Sequence, residues 1–189
     1  MENTNQTRIL QAAHDLFNAR GYRNVTVQDL AEQLGMSKKT IYQYFNGKEE
    51  IAVAVVEDTM KKLDQAVNLP ELAEKDPFTI IRHILMNIKE ESMRFGPLFL
   101  MDIEKYLPEL AQTYRQYRNN KKQGVAELLS KAQAQGLLKD VPIPMVMEIL
   151  SNCVKALVRP ENTMQSDYSI QAKVELFLDI FCSGIAKQH

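Results

Sequence analysis

The stretch "LGMSKKTIYQYF", Leu34 to Phe45, carries two lysines, two tyrosines, two hydroxyl residues and no acid. Gly35 offers a turn, and Ile41 and Phe45 stand four apart, the spacing that puts two apolar side chains on one helix face. Lys39, Tyr42 and Gln43, at i, i+3 and i+4, share the opposite face. From Gln33 to Lys48 there are three lysines and no acidic residue, a local charge of +3 in a chain of formal net charge −1. A near-neutral protein binds a polyanion through a local patch, and this window is the candidate.

Working outward, Ile9, Ala12, Ala13, Leu16 and Phe17 recur at helical spacing between Thr7 and Arg20, and Gly21 suits the C-terminal cap. In "NVTVQDLAEQLG", Thr26 and Asp29 form a capping-box pattern ahead of an apolar face of Val27, Leu30, Ala31 and Leu34, which Gly35 ends. Ser37 caps a third helix running to about Phe45, and Asn46-Gly47 breaks it. A fourth helix starts near Lys48 and runs past Leu63, with Ile51, Val55 and Val56 inward and Glu49 and Glu50 in its first turn. The short Gly35-Met36-Ser37 connection is of the kind that sets a helix-turn-helix unit. Lysine reaches phosphate or guanine, glutamine pairs with adenine, and tyrosine bonds phosphate or packs on thymine. Lys48, beside the free N–H groups opening the fourth helix, adds a phosphate site. Any exposed helix carries some lysines and tyrosines; the spacing, the turn and the missing acids together favour DNA.

Beyond this head, seven prolines mark breaks between apolar-periodic segments at about 78–95, 98–107, 109–136, 144–158 and 168–186, with a loop at 159–167. No strand alternation, repeat or low-complexity tract stands out. The chain reads as all-α: a helical head joined through the fourth helix to a larger helical body.

The 189 residues, 45% of them hydrophobic, supply ample core. Cys153 and Cys182 lie far apart, as free thiols of a reducing cytoplasm do. The polar start "MENTNQTRIL" and the absence of an apolar run near 18 residues predict a cytoplasmic chain with no membrane partner. His14, His83 and His189 stand alone, with no metal-ligand spacing. Neither a phosphate loop nor a nucleophile elbow is present, so no metal, cofactor or enzyme activity is expected.

Residues 7–52 resemble the DNA-binding domain of the TetR family of bacterial transcriptional regulators. The resemblance rests on "ILQAAHDLFNARGYRNVTVQDLAEQLGMSKKTIYQYFNGKEEI", with its A-x-x-L-F-x-x-x-G-Y start, T-V-x-D-L-A-x-x-L-G second helix and G-M-S-x-x-T-I-Y-x-Y-F-x-x-K-E-E block. It implies that Thr26 and Tyr42 contact phosphate and that Lys48 anchors the fourth helix. Gln28, Ser37, Lys38, Lys39 and Gln43 fall where members read bases or adjoining backbone, with Thr40 on the same edge. Lys39 departs from a frequent small residue and Tyr44 from a common histidine, which leaves the operator sequence open.

The resemblance further implies a helix-turn-helix domain over 1–47 and a ligand-binding and dimerisation domain over 48–189. It points to a homodimeric repressor released from palindromic double-stranded DNA by a small molecule. Ile149, Cys153 and Ala156 in one segment and Val174, Phe177, Phe181 and Ile185 in the last are the expected dimer stripes, although an inward stripe of a monomer has the same pattern. His83, Met86, Met93, Phe99, Met101, Tyr106, Tyr114 and Tyr117 are the candidate lining for an amphipathic effector, and the same residue types at helical spacing also make plain core. A same-fold DNA-dependent structural or partner-binding protein without an inducer is the alternative.

Overall fold

The computed structural model of the chain describes residues 2–66, 79, 95–157 and 168–187. The loop expected at 159–167, most of the helix expected over 78–95 and the pocket candidates His83, Met86 and Met93 lie outside the described residues, except that the loop's neighbour Tyr168 is described.

The fold is all-α. Helix α1 spans Glu2–Arg20, α2 Val27–Leu34, α3 Lys38–Tyr42 and α4 Lys48–Ala66. Then come α5 Pro97–Tyr106, α6 Pro108–Ala134, α7 Ile143–Leu157 and α8 Ile170–Ile185. An isolated antiparallel bridge joins Leu138 to Ala186. Among the described residues no helix is long and apolar enough to cross a membrane. Helix α3 stops at Tyr42, short of the expected Phe45. The amides of Gln43 and Tyr44 instead reach back three residues, to Thr40 and Ile41 at 3.3 and 3.0 Å, so the last turn tightens and Phe45 still arrives on the inner face.

The chain forms two compact units. The first comprises residues up to 65 together with 95–117. Its core takes Ile9, Ala13 and Phe17 from α1, Leu30 from α2, Ile41 from α3, and Ile51 and Val55 from α4. Phe99 and Ile103 of α5 and Tyr114 of α6 complete it. The ring of Phe17 stacks on Phe99 at 5.3 Å and 10°. Both rings are fully buried, each contributing about 1.5–3 kcal/mol of transfer free energy. A division after residue 47 therefore runs through this unit's interior.

The second unit has a core of its own. Val125 and Leu129 of α6 meet Val146, Leu150 and Val154 of α7 and Val174, Leu178, Phe181 and Cys182 of α8.

Candidate nucleic-acid interface

Local rules place α2 and α3. The Thr26 side chain accepts from the Asp29 amide at 3.2 Å, and the Asp29 carboxylate accepts from the Thr26 amide at 2.7 Å. The Thr26 hydroxyl also donates to Asp29. These bonds from Thr26, with Arg20 3.7 Å away, hold the Asp29 carboxyl below the usual carboxylate range. At the other end of α2, Gly35 adopts φ +63°, and the Met36 amide bonds Ala31 O at 2.9 Å while the Gly35 amide bonds Glu32 O at 3.2 Å. That paired closure requires a left-handed residue, which is the work of glycine here. Arg8 of α1 donates to Leu34 O at 3.3 Å, satisfying a further orphan carbonyl. Ser37 then caps α3, its hydroxyl accepting from the Thr40 amide at 3.1 Å and lying 2.9 Å from the Thr40 hydroxyl.

Helix α3 divides as its periodicity demands. Ile41 and Phe45 are buried, whereas Lys38, Lys39, Tyr42 and Gln43 are exposed, Tyr42 to 51%. Tyrosine, lysine and glutamine are side-chain types suited to phosphate contact and base readout, and here they stand exposed together on α3 and its C-cap. Thr26, Gln28 and Ser37 are exposed and Thr40 is half-buried. Gln28 donates to Glu32 at 2.7 Å. Half-buried Tyr44 accepts from Asn5 at 3.5 Å, so its hydroxyl faces α1.

Lys48 is turned toward the protein. Its ammonium donates to Tyr22 O at 2.9 Å, lies 3.5 Å from Arg23 O and sits 4.2 Å from the Tyr22 ring centroid. Partial burial lowers its pKa from the ordinary lysine value, against the opposing pull of Asp102 and Asp29. Lys48 thereby ties the start of α4 to the α1–α2 turn. Helix α5 reaches that turn too. Asp102 accepts from the Arg23 amide at 2.8 Å, and the Tyr106 hydroxyl accepts from the Arg23 guanidinium at 3.1 Å.

Of the effector candidates within the described residues, Phe99 and Tyr114 are core side chains of the first unit. Met101 is 67% exposed and Tyr106 faces Arg23. Tyr117 donates to Met60 O at 3.3 Å and Asp64 at 3.0 Å. A cleft of about 400 Å³ borders Tyr106, with Val53, Leu107 and Leu110 among its walls and Glu49, Glu57 and Glu109 around them.

The dimer candidates also separate. Val174 and Phe181 are buried in the second core, with Phe177 and Ile185 packed against it. Cys153 is half-buried and Ala156 exposed. Ile149 is exposed, and so are Met145 on α7 and Leu176 and Ile180 on α8, each by more than half. The stripes read from the sequence leave out Leu176 and Ile180. Their signal was present: Ala172, Leu176, Ile180 and Gly184 step by four along α8, opposite the stripe that faces inward.

Residues 9–55 match the family described as "Bacterial regulatory proteins, tetR family". Over 181 residues, 94% of either chain, the protein is 21% identical to the uncharacterized HTH-type transcriptional regulator YvaF of Bacillus subtilis strain 168. The structure is similar to that of PfmR, a TetR family transcriptional regulator from Thermus thermophilus. The TM-score is 0.74 at 25% identity, covering 93% of this chain and 97% of that one. A transcriptional regulator from Saccharomonospora viridis, solved in complex with choline, shares the fold at TM-score 0.80 and 20% identity, over 98% of this chain and all of that one.

Proposed function

We propose that this chain, a TetR-family helix-turn-helix transcriptional regulator, acts as a homodimeric repressor that a small organic effector releases from a palindromic operator. The observation that carries the reading is the division of α3 and the turn that follows it, where Ile41 and Phe45 are buried and Lys38, Lys39, Tyr42 and Gln43 are presented outward. Two such helices about 34–36 Å apart read successive major grooves, so the operator carries two inverted half-sites. The outward apolar residues of α7 and α8, Met145, Ile149, Leu176 and Ile180, support a dimer face on the second unit. Burying them against a second copy removes apolar surface from water.

Release follows from linkage. An effector that binds more tightly to a dimer whose reading helices no longer match successive grooves lowers DNA affinity, and DNA lowers effector affinity by the same factor. The choline-bound relative supports a search among small organic molecules with apolar and polar parts.

The test is selection of duplexes from a random library by the full chain, followed by fluorescence anisotropy. Recovery of an inverted repeat is expected. Gln43→Ala should alter base preference at specific positions, whereas Lys39→Ala should weaken binding more evenly. Failure to retain any duplex at low salt overturns the reading.

A further inference from the structure

We infer that Asp102 is a positioning residue for DNA binding: from α5, outside the segment that resembles the family, it fixes the α1–α2 turn and through it the placement of α2. The inference rests on the DNA-binding reading above.

The turn is held from two sides by charge of opposite sign. Lys48 of α4 donates to Tyr22 O at 2.9 Å and approaches Arg23 O at 3.5 Å. Asp102 of α5 accepts from the Arg23 amide at 2.8 Å, and Tyr106, one turn along, accepts from the Arg23 guanidinium at 3.1 Å while its ring lies 5.7 Å from that group. Between them, successive backbone groups of the turn are fixed by side chains from distant elements. The carboxylate also fits closely over Gly21, where an added Cβ would stand 2.6 Å from its Oδ2. Helix α5 is itself fixed against α1, through the Phe17–Phe99 stack and a 2.8 Å bond from the Gly96 amide to Asn18. Asp102 is thus a rigidly mounted acceptor. Three residues past Arg23 comes Thr26, the N-cap of α2, so the angle at which α2 and then α3 leave α1 is set where Asp102 acts.

The sign of the effect distinguishes this role from plain electrostatics. Asp102 is an acid in the unit that carries the reading helices, so its removal should, by charge alone, strengthen binding to a polyanion. Positioning demands the reverse. Without its acceptor the Arg23 amide, which is exposed, turns to water and the fold survives, but the turn must be ordered each time DNA binds. A charge-assisted hydrogen bond missing from the ordered state corresponds to about a tenfold loss per head.

The experiment uses the full chain and a duplex selected by the unmodified protein. Anisotropy is measured for Asp102→Ala, Asp102→Asn and Tyr106→Phe, with Glu104→Gln on the same helix as the charge control. Asp102→Ala should bind about tenfold or more weakly, Asp102→Asn should recover part of the loss through its amide oxygen, and Tyr106→Phe should lose a few-fold. Glu104→Gln should match or exceed the unmodified protein. Without DNA, hydrogen exchange at residues 23–26 should quicken in Asp102→Ala while the melting transition is retained. Should Asp102→Ala unfold, the asparagine variant and Tyr106→Phe decide. Asp102 variants that bind equally or more tightly, or an unchanged exchange pattern, overturn the inference while leaving DNA binding intact. An unmodified chain that selects no duplex overturns both.

Discussion

Replacing Lys48 with methionine separates two roles for this lysine, as clamp of the α1–α2 turn and as ligand for a DNA phosphate. The ammonium makes one short bond, 2.9 Å to Tyr22 O, a longer approach of 3.5 Å to Arg23 O, and a contact 4.2 Å above the Tyr22 ring. A hydrogen bond from a charged donor is worth roughly 1.5–3 kcal/mol. The cation over an aromatic face adds about 0.5–1 kcal/mol. Against this stands the desolvation that lowers the Lys48 pKa, which methionine would not incur. Methionine also keeps most of the packing of the lysine stem. The balance is a loss of about 2 kcal/mol, or roughly thirtyfold in the local opening equilibrium. Hydrogen exchange of the Val25 amide, which bonds Tyr22 O at 3.4 Å, reads that opening directly. The assay is paired with the salt dependence of DNA affinity. A clamp leaves the slope unchanged, whereas loss of a phosphate contact from each head lowers it by about 1.8 for a dimer. Unchanged exchange together with a flattened slope would refute the clamp.

Three further outcomes are expected. Gly35→Ala should destabilise the first unit by about 1–2 kcal/mol in urea unfolding, since the residue sits at φ +63° with open space around it and backbone strain acts alone; Gly35→Asn should lose less. Leu176→Glu with Ile180→Glu should yield monomers by sedimentation while thermal unfolding stays near that of the unmodified protein, because both side chains are outside the core; a persistent dimer would place the interface elsewhere. Because its folded pKa is depressed, Asp29 stabilises α2 fully above its unfolded value of about 3.9 and loses that contribution as pH falls through the folded value. Acid titration followed by circular dichroism should therefore show a stability loss below about pH 4 that Asp29→Asn lacks.

The first four helices were legible because each carries its own punctuation within a few residues. The Thr26–Asp29 capping box, Gly35 and the Ile41–Phe45 pair are local signals with local causes. Lys48 was legible as a cation at a helix start, but its partners lie 25 and 26 residues earlier. Asp102 was more hidden, since the amide that it holds is 79 residues away and no pattern in α5 marks the contact. The faces of helix α8 were hard to read for the opposite reason. Its run "VELFLDIFCSGI" is apolar on two faces, so period alone could not tell the inward Val174, Leu178 and Phe181 from the outward Leu176 and Ile180. Packing against α6 and α7 decides between them.

The Phe17–Phe99 stack bears on how the N-terminal helices of this chain can be moved between proteins. A chimera that grafts residues 1–55 onto another body leaves Phe17 facing whatever ring, aliphatic chain or gap the recipient offers in place of Phe99, and Gly21 and Arg23 facing an unmatched helix. The smallest portable unit is accordingly discontinuous: the N-terminal helices together with residues 95–117, moved as a set.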